Sequence, residues 1–446
     1  MPFFKGLPMS VIKRLHRLTG ESPGGTETPT RSEEIAALRK RIDKIMAHRP
    51  ESRPSIFTAS ERRSLSLKDM IPGEDCRNAA GTCFIQETTV DASTWHGHRR
   101  IRDFTDLNMQ AAAFLANNAA LAECRLEEGL FLDTETTGLA GGTGTMAFLI
   151  GLGWFDQGRF IVRQIFARDF TEERAALTHL ADIAGTKRFL VSFNGKTFDV
   201  GLLSTRYIMN RLQSPFAALP HLDLLYPARR LIAHRLENCR LATLEERVLG
   251  LIRLDDVPGS DIPQRYFDWL RGGDARPLRD VFTHNRLDII SLAALMDHLT
   301  ALMQGRLDMA HADARDLLAL ARWHSERQDT RQAQCLLTPL VQSSETAVRM
   351  EARKMLSLIY RRTGRWEEAV GLWQQMVQEH SDDRFALIEL AKWYEHRAHD
   401  DVTALKLVRQ AIRQAGGQCT AAEREALLHR RQRLQQRQAE QPERND

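Results

Sequence analysis

The acids of LFLDTETTGL stand at Asp133 and Glu135, at the end of an apolar run. If that run is a strand, side chains two apart leave the same face. Two carboxylates forced together repel, and such a pair persists most naturally where cations sit between them. Alone, the triplet decides little, because acidic pairs are common at exposed strand ends. Two later segments change the balance. LVSFNGKTFD ends a second apolar run and sets Asp199 at the head of a helix; THNRLDIISLAAL sets His284 and Asp288 four apart, on one helical face. Oxygen ligands suit Mg2+ or Mn2+, whereas zinc would favour His or Cys.

These residues need a scaffold, and the pattern from about Gly81 supplies one. GTCFIQETTV alternates like a strand, and GLFLD is a short apolar run ending in acid. MAFLIGLGWF and RFIVRQIFA are rich in β-formers and separated by Asp156, Gln157 and Gly158, a hairpin signal. A helical stretch over residues 172–183, a strand (RFLVSF) and a helix from about Phe198 follow, with further helices between 241 and 299. Strand, hairpin, helix, strand, helix predicts a mixed α/β sheet with helices on its faces.

Beyond Ala312 the sequence reads as helical and repeats itself. Leu320, Leu356 and Leu390 are each followed by a small residue (Ala321, Ser357, Ala391). His324, Tyr360 and Tyr394 recur at one offset, and Ala333, Ala369 and Ala404 close the units. Small residues at fixed offsets let paired helices approach closely, which an ordinary bundle does not require. GRWEEAVGLWQQMV is similar to a tetratricopeptide repeat. The tail from Thr420 reads as a charged helix.

With 446 residues, 43% of them hydrophobic, two or three domains are expected. The net charge of +4 permits nucleic acid without requiring it, so a local basic groove matters more than the total. The six cysteines are scattered without a CxxC pair and are read as reduced thiols. No apolar run is long enough to suggest a membrane partner, and MPFFKGLPMSVIKRLHRL lacks the form of a secretory signal, so the expected compartment is cytoplasmic. The segment EEIAALRKRIDKIM (33–46) could form a short helix within an otherwise flexible, basic arm. His96 and His98 flank a glycine without a third ligand nearby, and GGTG at 141–144 lacks the lysine of a phosphate loop.

Taken in order, DTETTGL, NGKTFDVGLLSTR, HLDLLYPARR and HNRLD resemble the DEDD exonuclease superfamily, which has a ribonuclease H-like fold. The second motif is similar to that of the proofreading exonuclease of family B DNA polymerases. With the repeats included, the chain resembles the bacterial YprB-type group, in which such a domain precedes tetratricopeptide repeats. The likeness covers 81–304 and the repeats. It implies a metal-dependent 3′–5′ exonuclease acting on DNA or RNA. Asp133, Glu135, Asp199 and Asp288 would hold two Mg2+ or Mn2+ ions, roughly 3.5–4 Å apart in such sites. It also implies substrate contacts from Thr137, Gly138, Leu139 and Asn194. Asp223 is read as a structural acid, and Arg229 and Arg230 as possible phosphate contacts. The superfamily places either a Tyr four residues before the last Asp or a His five before it; His284 has the first spacing and the second identity, which leaves the general base open.

The expected organisation is an arm (1–75), a ribonuclease H-like nuclease (76–305), helical repeats offering a surface to a protein partner (312–415), and a charged tail (416–446). The alternative is a weakly catalytic or non-catalytic scaffold acting through the repeats, although four intact acids favour the enzyme.

Overall fold

The computed structural model describes residues 65–138, 143–307, 313–414 and 420–440. Most of the expected arm, with the segment 33–46, lies outside them. A seven-stranded mixed sheet is formed by β1 (Glu74–Asn78), β2 (Gly81–Val90), β5 (Gly129–Thr136), β6 (Ala147–Asp156), β7 (Arg159–Phe166), β8 (Phe189–Ser192) and β9 (His221–Asp223), with β3 (Trp95–His96) and β4 (Arg99–Arg100) as a separate pair. Its order is β1-β2-β7-β6-β5-β8-β9. The neighbours from β1 to β5 are antiparallel, and β5–β8 and β8–β9 are parallel. This is the mixed α/β, ribonuclease H-like arrangement expected, with an all-α region after it.

Local signals explain most of it. The hairpin between β6 and β7 turns on Gln157 and Gly158, at φ 47° and 77°. Two left-handed residues in succession give a turn whose twist matches the flanking strands. One boundary moves. Leu67 and Ile71 are buried and β1 begins at Glu74, so the fold starts inside the segment expected to be a flexible arm. Two buried side chains and a strand pairing outweigh the polar composition of that stretch.

The helix Arg276–Gln304 crosses the sheet over β5, β6 and β7. Its first turns (Leu278, Val281, Phe282) pack in one apolar cluster, with helices Glu173–Ala184 and Ile262–Gly272. From Ile289 onward it packs in a second cluster, with Phe131, Phe155 and helix Met109–Ala116. His284 and Asp288 fall where the helix passes from one cluster to the other. It is long and apolar enough by composition to cross a membrane, yet 72% of that window is buried inside the protein.

The second cluster does not stop at the sheet and the helices that cover it. Leu317, Leu320, Ala321 and Trp323 of helix Ala314–Glu326 belong to it, as do Ala333, Leu337 and Leu356 further on. The small residues singled out by their period, Ala321, Ser357, Ala391, Ala333, Ala369 and Ala404, are all fully buried, so they sit where successive helices touch. The five cysteines among the described residues are free.

Candidate active site

The site is built where β5 and β8 end side by side. These strands run parallel with Phe131 opposite Val191, so their carboxyl ends point the same way. Asp133 and Glu135 sit partly buried near the end of β5. From β8 the chain turns through Asn194, whose backbone is left-handed (φ 64°), and enters helix Asp199–Met209. Asp223, buried in β9, holds that turn: its carboxylate accepts from the backbone N–H groups of Asn194 (2.7 Å) and Lys196 (3.0 Å). Asp199 then accepts the Thr134 hydroxyl at 2.5 Å.

The helix Arg276–Gln304 closes the cleft from above. A carboxylate oxygen of Glu135, one of Asp288 and a His284 ring nitrogen lie within 4.8 Å of one another. Asp133 interacts electrostatically with Asp288, Glu135 and Asp199, so charged residues from three separate stretches of chain meet in the cleft. Thr137 and Gly138 follow on the same loop. The Thr137 hydroxyl accepts the Met146 N–H (3.0 Å), and the Gly138 carbonyl accepts the Thr136 hydroxyl (2.8 Å). Leu139 lies outside the described residues.

Sequence comparison agrees with this geometry. The profile of the RNase H superfamily matches residues 130–300, the stretch from β5 through most of the long helix. The Bacillus subtilis (strain 168) protein YprB is 32% identical over 359 residues, covering 78% of this chain and 84% of that protein. The chain belongs to the YprB family of the RNase H superfamily. A solved structure, the family B DNA polymerase from the hyperthermophilic archaeon Pyrobaculum calidifontis, aligns over 45% of this chain and 29% of its own length, at 12% identity and a TM-score of 0.30. RNase H superfamily members are mostly nucleases, and their fold implies divalent metal and a nucleic-acid substrate.

In this YprB-family protein the electrostatics of the cleft fit such a role. Burial, and then Asp288, Glu135 and Asp199, push the Asp133 carboxyl well above its usual range. Burial raises Glu135 to about 8; His284 opposes the rise, and Asp288 and Asp199 add to it. Burial lifts Asp199 to about 6 despite the Thr134 hydrogen bond. Carboxylates drawn together and left this costly to ionise are a donor set short of positive charge, and a hard divalent cation supplies it.

Several supporting residues escaped sequence reasoning. Asn285, fully buried, donates to Asp133 Oδ2 at 2.9 Å and accepts from Gln164 Nε2 at 2.9 Å. It lies over Gly151, which pairs with Asp133 on one side and Gln164 on the other. A Cβ at Gly151 would collide with the Asn285 amide, so the glycine is what admits it. Asp256 accepts from His284 Nδ1 at 2.9 Å, leaving Nε2 facing Asp288 at 3.4 Å. Burial would lower the His284 pKa, but Asp288, Glu135 and Asp256 together raise it. Arg253 binds Asp288, Glu245 and Asp256, and its side chain is almost wholly buried. Asn285 alone left a trace in the sequence, inside HNRLD; Arg253 and Asp256 come from a loop with no motif of its own.

His96, set aside as a metal ligand, meets Ser291 Oγ at 2.8 Å, and burial lowers its pKa to about 4. Among the described residues His234, Asp313 and Asp316 form one further group of ligand type, but Asp316 is already held by Arg235 at 2.8 Å.

Proposed function

We propose that this chain is a 3′–5′ exonuclease that hydrolyses phosphodiester bonds of DNA or RNA with two Mg2+ or Mn2+ ions. The observation that carries this reading is the meeting of Asp133, Glu135 and Asp199, which no guanidinium neutralises, with Asp288, which is shared with Arg253. Asp133, Glu135, Asp199 and Asp288 would hold the ions, which would supply charge stabilisation for the attacking and leaving oxygens. Asp256 fixes the His284 ring so that Nε2 faces the cleft, where it orients the nucleophile and accepts its proton. Asn285 and Thr134 hold Asp133 and Asp199 in place. Thr137, Gly138, Leu139 and Asn194 meet the terminal nucleotide. The buried small residues at a fixed period support a tetratricopeptide-like array, whose outer face is offered to a protein partner.

The test is degradation of 5′-labelled single-stranded DNA and RNA by the full chain with Mg2+, Mn2+ or EDTA. Stepwise shortening from the 3′ end in metal alone is expected. Asp133→Asn should lose more than the ~10–100-fold typical of a residue behind a metal ligand. No shortening with either metal, or full activity in Asp133→Asn, would overturn the assignment.

A further inference from the structure

A cavity of about 720 Å³ opens between the nuclease and the first helix of the array. Four cations line it, Lys196, Arg229, Arg230 and Arg327, against two carboxylates, Asp223 and Glu326. Asp223 is already committed to the backbone N–H groups of the Asn194 turn, and Glu326 is paired with Arg230. The excess charge is therefore positive, in a chain whose total is only +4. Aromatic faces are interleaved with it. Lys196 Nζ stands 5.8 Å from the centre of the Tyr226 ring, and Tyr226 is 50% exposed. Trp323 is buried beneath and braces two of the cations, with Arg230 at 4.8 Å and Arg327 at 5.1 Å from its ring.

The cavity also adjoins the carboxylates. Lys196 lies on the short turn between Ser192 and Asp199, and a Cβ on its neighbour Gly195 would stand 3.3 Å from Asp199 Oδ2. Phe198, beside Asp199, is 50% exposed. One turn thus runs from the carboxylates to the cation-lined cavity. The far wall belongs to the array: Arg327 donates to the Phe114 carbonyl and to Asn117 Oδ1, both at 3.0 Å, fixing helix Ala314–Glu326 against helix Met109–Ala116.

A positively charged groove with exposed aromatic faces is the form that takes up single-stranded nucleic acid, cations following the phosphates and rings stacking on bases. We infer that the seam between nuclease and array is the path of the single strand leading away from its 3′ end, with Lys196 and Arg229 on the phosphates and Tyr226 beneath a base. The first array helix is then part of the substrate site, and not only a platform for a protein partner. This rests on the nuclease reading for the position of the 3′ end, but binding in the seam is measurable without hydrolysis.

The experiment is fluorescence anisotropy of the full chain in EDTA with 5′-fluorescein oligo-dT and oligo-U of about four and about twelve nucleotides, lengths that span the range for one strand-binding site. Affinity should rise steeply from the shorter to the longer strand. Arg229→Glu should remove most of that rise and flatten the dependence of log K on log salt by about 0.7 or more, the slope of one phosphate contact on a single strand. Tyr226→Ala should weaken the longer strand at least about 5-fold at an unchanged salt slope, as loss of one stacking ring does. Preference for dT or U separates DNA from RNA. Equal binding of the two lengths, wild-type behaviour of both variants, or a poly-aspartate peptide bound as tightly as the longer strand would overturn the proposal. The two readings fail separately. Metal-dependent hydrolysis with no length dependence removes the seam and keeps the nuclease; length-dependent binding lost in Arg229→Glu, with no hydrolysis in Mn2+, does the reverse.

Discussion

The cleft and the helical array handle the same acidic side chains in opposite ways. In the array, Glu395 is fully buried and meets Arg430, Arg433 and Arg437. Glu379 lies between Arg349 and Arg353, whose hydrogen bonds pull its pKa down to about 2. Every such acid is matched by guanidinium groups from a neighbouring helix, which ties one helix to the next. In the cleft only Asp288 has such a partner, in Arg253; Asp133, Glu135 and Asp199 receive an amide, an imidazole and a hydroxyl, and burial raises their pKa values instead. Charge paired within the chain serves the fold; charge left unpaired works against the fold, and is kept where a cation from outside completes it.

The comparison breaks most visibly if the two regions are not separate objects. Leu317, Leu320 and Trp323 share a core with Phe131 and Ile289, and Arg235 holds the buried Asp316 in a two-pronged pair (2.9 and 2.8 Å). A chain ending at Gln304 leaves that apolar face in water, at about 1.5–3 kcal/mol for each large side chain uncovered. It should be insoluble or should melt without cooperativity, while a chain ending at Val341, with the first two array helices restored, should melt cooperatively. Soluble yield and thermal unfolding of the two truncations decide it. If the shorter one melts like the full chain, the array folds independently and the seam is an ordinary domain contact.

The same contrast explains what the sequence made legible. Asp133, Glu135, Asp199 and Asp288 were readable because each ends an apolar run or sits in a helical pattern whose geometry is local. The array's period was readable because small residues at helix contacts recur at one offset. Arg253, Asp256 and Gln164 were not, since their partners Asp288, His284 and Asn285 lie 28 to 121 residues away and nothing near them in the chain marks the pairing. The start of the fold was misplaced for a related reason. Leu67 and Ile71 are isolated apolar residues in a polar stretch, and only the sheet they cover gives them a place in the core.

His284 sharpens the comparison, because it is the one imidazole set among the unpaired acids. If it takes the nucleophile's proton, His284→Ala should lose roughly 10²–10⁴-fold in rate, the usual size of a general-base contribution. His284→Tyr should recover part of that by restoring the positioning role. The wild-type rate should rise with pH as the imidazole gives up its proton, and that limb should vanish in His284→Ala. Asp256→Asn, which loosens the ring without removing it, should cost the smaller ~10–100-fold of a supporting residue. A pH–rate profile of the four proteins on one oligonucleotide is the measurement. An unchanged profile in His284→Ala would make the residue another structural partner, like the arginines of the array.

The smallest effect is on stability, and the two regions should show it with opposite signs. In the cleft, Glu135 rises from 4.5 to about 8 and Asp199 from 3.8 to about 6. A carboxyl whose folded pKa lies above its unfolded one contributes stability that is complete below the unfolded value and is lost as pH climbs through the folded one. Metal-free protein should therefore lose stability between about pH 4.5 and pH 8. His284, also raised, acts in the same direction. In the array Glu379 falls from 4.5 to about 2, so its contribution is present above pH 4.5 and disappears as pH drops toward 2. Thermal unfolding in EDTA across this range should show both limbs. Asp133→Asn should relieve the repulsion and raise the alkaline end by roughly 2–4 °C, the shift expected for about 1 kcal/mol in a domain of 150–250 residues. Glu379→Gln should lower the plateau and flatten the acidic limb alone. Saturating Mg2+ should restore the alkaline end in the wild type, where Asp133 can bind it, and do so less in Asp133→Asn. An alkaline limb that neither Mg2+ nor Asp133→Asn changes would mean that the cleft's acids are already neutralised within the chain, as those of the array are.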